Sequence, residues 1–181
     1  MGSNPNEGAM VKLILKRHDP KSKQYFASER KYLLKKLDNG SIHKLFHFGS
    51  TAVPNLGGKG MIDIFLISKS KKAALELIDQ IRERTDYDRP ATGGSKERIF
   101  HRRTRKIGRK VTFHLHVSWK NAKGWKKDIL FLNYLLKHPE TAKRYGELKY
   151  AWAEKAGYVR RKYHDSKPRF ISMVLRKAKS E

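Results

Sequence analysis

An α+β fold is expected for this chain: a mixed β-sheet flanked by helices, with a helical C-terminal portion over about 121–179. Three observations lead there. Four strand-like runs fall between residues 44 and 117, with helix-like spacing before and between them. The run 61–68 is almost continuously apolar and is broken by one acid, Asp63, as in a buried central strand. Beyond residue 121 the apolar residues keep helical spacing in three segments.

The elements follow in order. Residues 25–37 carry Tyr25, Phe26, Tyr32, Leu33 and Leu37 at helical spacing, and Asp38-Asn39-Gly40 ends that helix. Residues 44–48 read as the first strand and 61–68 as the second. Ser70 caps a helix over 71–84 whose apolar face is Ala74, Leu75, Leu77, Ile78 and Ile81. The Pro- and Gly-containing stretch 88–95 reads as a loop. Strands follow over 98–101 and 110–117, joined by a basic turn over 102–109. Helices over 122–137, 139–156 and about 166–179 complete the chain, with Gly157 as the stop between the last two. Residues 1–10 are polar and read as a disordered leader ahead of a single domain over 11–181.

Composition narrows the function. A chain of 181 residues is long enough for one domain with a real core. No apolar run approaches the roughly 20 residues needed to cross a bilayer, so no membrane partner is expected. Cysteine is absent, which excludes disulfides, zinc-finger sites and thiol catalysis and fits a cytoplasmic protein. Lys plus Arg number 42 against 17 acids, a net charge of +25. The acids do not keep pace with the bases, so RNA or another polyanion is an expected partner; a basic solvated surface is the alternative.

The stretch richest in chemistry is His47-Phe48-Gly49-Ser50-Thr51-Ala52-Val53-Pro54, followed by Lys59 and Ile62-Asp63-Ile64. It reads as a strand, a Gly-Ser turn, a short helical or looped segment, and a second strand with one acid. Such a turn can leave backbone N–H groups and a hydroxyl facing outward to cradle phosphate oxygens. A carboxylate on the next strand can hold a divalent metal against them. Asp63 and Ser50 are therefore the candidate catalytic residues. Gly49, Ser50, Thr51, Lys59, Arg98 and Arg102 are candidate ligands for a nucleotide or other phosphate compound. Period two puts His114 and His116 on one strand face, and Asp63 on one face with Met61 and Phe65. If the sheet aligns those faces, Asp63, His114 and His116 form a metal site. Magnesium or manganese is the expected ion, and two imidazoles also admit zinc. Otherwise the histidines are an ordinary hydrogen-bonded pair on a sheet face. Trp119, Trp125, Trp152, Tyr145 and Tyr163 stand either as base-stacking groups or as core.

These residues resemble the signature of the GrpB (UPF0157-type) family, a branch of the nucleotidyltransferase superfamily of the polymerase-β type. Further markers keep the family's order: Arg98 and Phe100, Phe113-His114-Leu115-His116-Val117, Phe131, Tyr134-Leu135, His138-Pro139-Glu140, Tyr145, Leu148-Lys149, Tyr163, Lys167 and Phe170-Ile171. The resemblance runs from about residue 11 to about 177. It implies a nucleotidyltransferase-like sheet, a nucleotide held with a divalent metal, and transfer of a nucleoside monophosphate. It also implies that Lys149 and Lys167 line the phosphate site; as sequence alone they read equally well as exposed helix charges. The chain departs from the pattern in five places, two of them Gly60, where family members often carry Pro, and Asn55, where they often carry Gly. The superfamily has Asp-x-Asp or Asp-x-Glu on the second strand, and here the second position is Phe65. A third carboxylate from a later strand is replaced by His114 or His116. The Arg-Asp pair of the later helix is Leu132-Asn133. Two other roles remain open on that ground: a basic RNA- or phosphate-binding module that has lost catalysis, or a regulatory or chaperone-like role in coenzyme A synthesis, since GrpB-like domains occur fused to dephospho-coenzyme A kinase.

Overall fold

Four strands form one mixed sheet in a computed structural model that describes residues 12–90 and 94–181. The strands are β1 (Ile42–Phe48), β2 (Ile62–Ser68), β3 (Ile99–Ile107) and β4 (Arg109–Trp119), in the order β1-β2-β4-β3. β1 and β2 are antiparallel, β2 and β4 parallel, β3 and β4 antiparallel. The leader expected over 1–10, and residues 91–93 of the loop expected over 88–95, lie outside the described residues.

The apolar run of β2 is central because both of its faces are covered. Ile62, Ile64 and Leu66 pack with α1 (Ser22–Lys36) and α2 (Lys71–Arg84) on one side. Phe65 and Ile67 pack on the other with α3 (Gly124–Lys137), α4 (Pro139–Lys155) and α6 (Pro168–Lys179). Ser70 caps α2 as expected, accepting a hydrogen bond from the Ala73 N–H at 3.1 Å. The mixed sheet, the flanking helices and the helical C-terminal part agree with the sequence reading.

Two local expectations need correction. Residues 102–109 are not a turn: β3 runs through them to Ile107, and the chain reverses at Gly108 with φ 67°. The reason is an ion cluster. Period two aims Arg103 and Arg105 at α1, where the fully buried Glu29 accepts hydrogen bonds from them at 2.6 and 3.2 Å. The Arg103 guanidinium also lies 3.7 Å from the centre of the Tyr32 ring. A strand whose inward positions are arginines shows no apolar alternation. The second correction lies after α4. Gly157 and Tyr158 both take positive φ, at 59° and 58°, and the chain then forms an extra short helix, α5 (Arg160–Asp165), before α6.

Candidate functional site

Asp63 stands near the start of β2, between its register partners Phe48 on β1 and His114 on β4; Phe65 is opposite His116 in the same ladder. Register partners share a sheet face, so Asp63, Phe65, His114 and His116 project together. His114 Nδ1 lies 3.3 Å and His116 Nε2 3.9 Å from Asp63 Oδ1. Burial alone would raise the Asp63 carboxyl, but the hydrogen bonds and charge of the two histidines outweigh it and hold it well below the usual carboxylate range. Burial lowers His116 despite the carboxylate beside it.

The Gly-Ser turn reaches the same spot. Gly49 has φ 74°, a conformation that suits glycine, and a Cβ there would run into the Asp63 carboxylate. Ser50 begins a short 3₁₀ turn, Ser50–Ala52, and a Cβ at Gly58 would strike its hydroxyl. Two glycines thus let the hydroxyl, the turn and the carboxylate crowd into one corner.

The same cleft is lined by basic side chains. Lys59, Lys149, Arg160, His164 and Lys167 line one cleft of about 560 Å³ with Gly49, Ser50, Asp63, His114 and His116. Burial is the largest cause lowering each of the three lysines, and neighbouring cations add to it. Lys149 falls to about 7, with Lys167 the next cause, and donates to the Gly57 carbonyl. Lys167 falls to about 8, with Lys59 the next cause. Lys59 is lowered in the same way, beside Arg160. His164 drops to about 4 through burial and then Lys167. The Asp63 carboxylate acts the other way on all three lysines, and a further anion beside them would favour their charged forms.

Nine of the residues singled out from sequence therefore meet in this cleft: Gly49, Ser50, Lys59, Asp63, Arg98, His114, His116, Lys149 and Lys167. Two do not. Thr51 is buried, donates to the Met61 carbonyl at 3.0 Å and meets His47 Nε2 at 2.9 Å, so it ties the turn to the strand. Arg102 lies out on the β3–β4 hairpin, 2.9 Å from Asp88. Sequence reasoning missed Asp128, Arg160 and His164. Asp128 lines the cleft 2.6 Å from Arg98, and burial raises its carboxyl. The run Arg160-Arg161-Lys162 just after Gly157 was the available signal for the other two. Of the aromatics, Tyr145 and Tyr163 reach the cleft, while Trp125 and Trp152 pack with the α3–α4–α6 core. A larger groove of about 1260 Å³ beside the 53–57 loop shares Val53, Leu56 and Leu135 with the cleft but is not lined by Asp63, His114 or His116.

The sheet with its acid-bearing central strand and flanking helices has a nucleotidyltransferase-like α+β fold. The Cid1 poly(U) polymerase, solved with MgATP bound, superposes with a TM-score of 0.50 at 14% identity over 78% of this chain and 45% of that one, a likeness of fold alone. The chain belongs to the GrpB family: the family described as GrpB protein matches residues 12–177. The crystal structure of the conserved protein GrpB from Enterococcus faecalis superposes with a TM-score of 0.74 at 28% identity, over 91% of this chain and 96% of that one. The Glutamate-rich protein GrpB of Alkalihalophilus pseudofirmus is 27% identical over 164 residues, 90% of this chain and 94% of that protein. The UPF0157 protein YqkA of Bacillus subtilis is 31% identical over 121 residues, which span 67% of this chain but only 34% of that longer protein. Phe65, where the superfamily pattern has an acid, and Leu132, in place of the family's arginine, fall in one apolar cluster, and Leu132 also lines the cleft.

Proposed function

We propose that the cleft binds a nucleotide through its phosphates, together with one divalent metal ion. The observation that carries this is the convergence of Asp63, His114 and His116, which offer three ligand atoms within 4.8 Å of one another, in one cleft with the Gly49–Ser50 turn and the lysines. The donor set fits a metal. Both imidazoles approach Asp63 Oδ1, so two nitrogens and a carboxylate oxygen converge on one point. Two imidazoles and one carboxylate suit manganese or zinc better than magnesium, which would need the phosphates to complete its oxygen shell. When bound, the metal neutralises charge on the phosphoryl oxygens. The chain's own part is to hold the phosphates. The Ser50 hydroxyl and the N–H groups of the turn donate to them, and Lys59, Lys149, Arg160 and Lys167 balance their charge.

Phe65 limits the chemistry. It is fully buried and stacks on Phe48 with ring centres 3.9 Å apart, so no second acid stands on β2 to bridge two metals. The proposal is therefore metal-dependent nucleotide binding at a one-metal site; a two-metal transfer of nucleoside monophosphate has no bridging acid on β2. Thermal unfolding with a nucleoside triphosphate and magnesium, manganese or zinc tests it. The parent should be stabilised by nucleotide and metal together, most by manganese or zinc, and Asp63→Asn should lose the effect. An Asp63→Asn protein that responds as the parent does would reject the site.

A further inference from the structure

The β3–β4 hairpin carries cations that the cleft does not use. Lys106 faces Lys110 in its ladder, Thr104 faces Thr112, Arg102 faces His114 and Phe100 faces His116. Period two puts these four rungs on one face, the face that also carries Asp63. Rungs on one face repeat every ~7 Å, so the strip runs roughly 20 Å from the hairpin tip to Phe100 at the mouth of the cleft.

The two faces of the hairpin treat charge differently. On the face toward α1, Arg103 pairs with Glu29 and Asp86, Arg105 with Glu29, and Arg109 with Asp19. On the outer face Lys106 and Lys110 are exposed, and neither has a carboxylate within ion-pair distance among the described residues. Arg102 shares only the exposed Asp88. Like charges directly opposite in a ladder repel, so the Lys106–Lys110 rung costs stability that an anion lying across it would restore. Between the cations the hydroxyls of Thr104 and Thr112 lie 3.2 Å apart and exposed. At the cleft end the Phe100 ring stands edge-on to His114, with centroids 4.8 Å apart, where a base can stack.

We propose that this face is a track for a single-stranded nucleic acid, with the strand's end entering the cleft. Charge complementarity selects the occupant. The chain carries a net +25, and the strip presents cations, hydroxyls and then an aromatic ring in a line, the combination that follows a sugar–phosphate backbone and stacks a base. A strip one ladder wide that leads into a cleft of about 560 Å³ suits a strand end and not a duplex. Entry into the cleft rests on the nucleotide-binding proposal above; binding along the hairpin does not.

Fluorescence anisotropy with labelled oligouridylate, oligothymidylate and a duplex of equal length tests the track. The parent should bind single strands of either sugar more tightly than duplex. Lys106→Gln/Lys110→Gln should make the plot of log affinity against log salt shallower by about 1.4 and weaken binding at low salt by about tenfold or more. Lys35→Gln/Lys36→Gln removes the same charge from the exposed last turn of α1 and should change binding much less. Lys110→Glu turns the repelling rung into an ion pair, so it should raise the unfolding temperature while weakening the bound strand. Equal losses in the two double variants, duplex bound as tightly as single strands, or Lys110→Glu binding unchanged would each overturn the proposal. Nucleotide-with-metal stabilisation should be the same in the hairpin variants as in the parent, so a failed track leaves the cleft site standing. A failed cleft site alongside hairpin-dependent strand binding removes only the entry of the strand end.

Discussion

Inorganic tripolyphosphate titrated into the protein at about pH 8.5 should bind with uptake of at least one proton. In the free protein burial lowers Lys149 to about 7 and Lys167 to about 8, so near pH 8.5 both amines are mostly neutral. A polyanion beside them favours the charged form and returns the protons. Affinity should therefore fall as pH rises through 7 to 9, by up to about tenfold per unit for each proton taken up, and level off below about pH 7. Stability of the ligand-free protein carries the opposite slope. The folded pKa of Lys149 lies below its unfolded value of 10.5, so the unfolded chain binds more protons between about pH 7 and 10.5 and stability rises with pH across that window. Lys149 is only 3% exposed, and its full shift corresponds to roughly 4–5 kcal/mol. Replacing it with an apolar isostere, Lys149→Met, should then stabilise the protein near neutral pH by about 1–4 kcal/mol while weakening tripolyphosphate. Calorimetric titrations in two buffers of different ionisation enthalpy count the protons. Binding without proton uptake at that pH, or Lys149→Met binding tripolyphosphate as the parent does, would refute the argument.

Two other substitutions test the supports of the site. Gly49→Ala forces a side chain onto a backbone at φ 74° and into the Asp63 carboxylate; it should cost about 1–3 kcal/mol in urea unfolding and abolish the metal-dependent response to nucleotide. Glu29→Gln removes the buried acid between Arg103 and Arg105 and should cost about 3–5 kcal/mol, with Glu29→Gln/Arg103→Met recovering part of the loss. A cost under about 1 kcal/mol would mean that the cluster does not hold the hairpin against α1.

The corner of the cleft was legible in the sequence because its parts are close in the chain. Gly49, Ser50 and Asp63 lie within fifteen positions of one another, and strand–turn–strand order alone brings them together. Period two likewise put His114 and His116 on one face, and the parallel pairing of β2 with β4 supplied the alignment that period two could not. Part of the cleft's basic lining was legible: Lys59 from its place before the second strand, Lys149 and Lys167 through the family resemblance. Asp128, Arg160 and His164 look like any helix charges in a chain with 42 basic residues, and beyond the basic run over 160–162 nothing local marks which of them point inward.

Sequence by itself determined the central strand, the flanking helices, the glycine turn and the chain's own excess of positive charge, because each depends on local periodicity or on composition. Tertiary structure decided the rest. It made 102–107 a strand, since Glu29, more than seventy positions earlier, neutralises the arginines that occupy its inward face. It took Thr51 and Arg102 out of the site, since one is committed to the Met61 carbonyl and the other to Asp88. It gathered Lys59, Lys149 and Lys167 from separate elements around one anion-sized space. Their lowered proton affinity is a consequence of shared burial, which no single stretch of sequence contains.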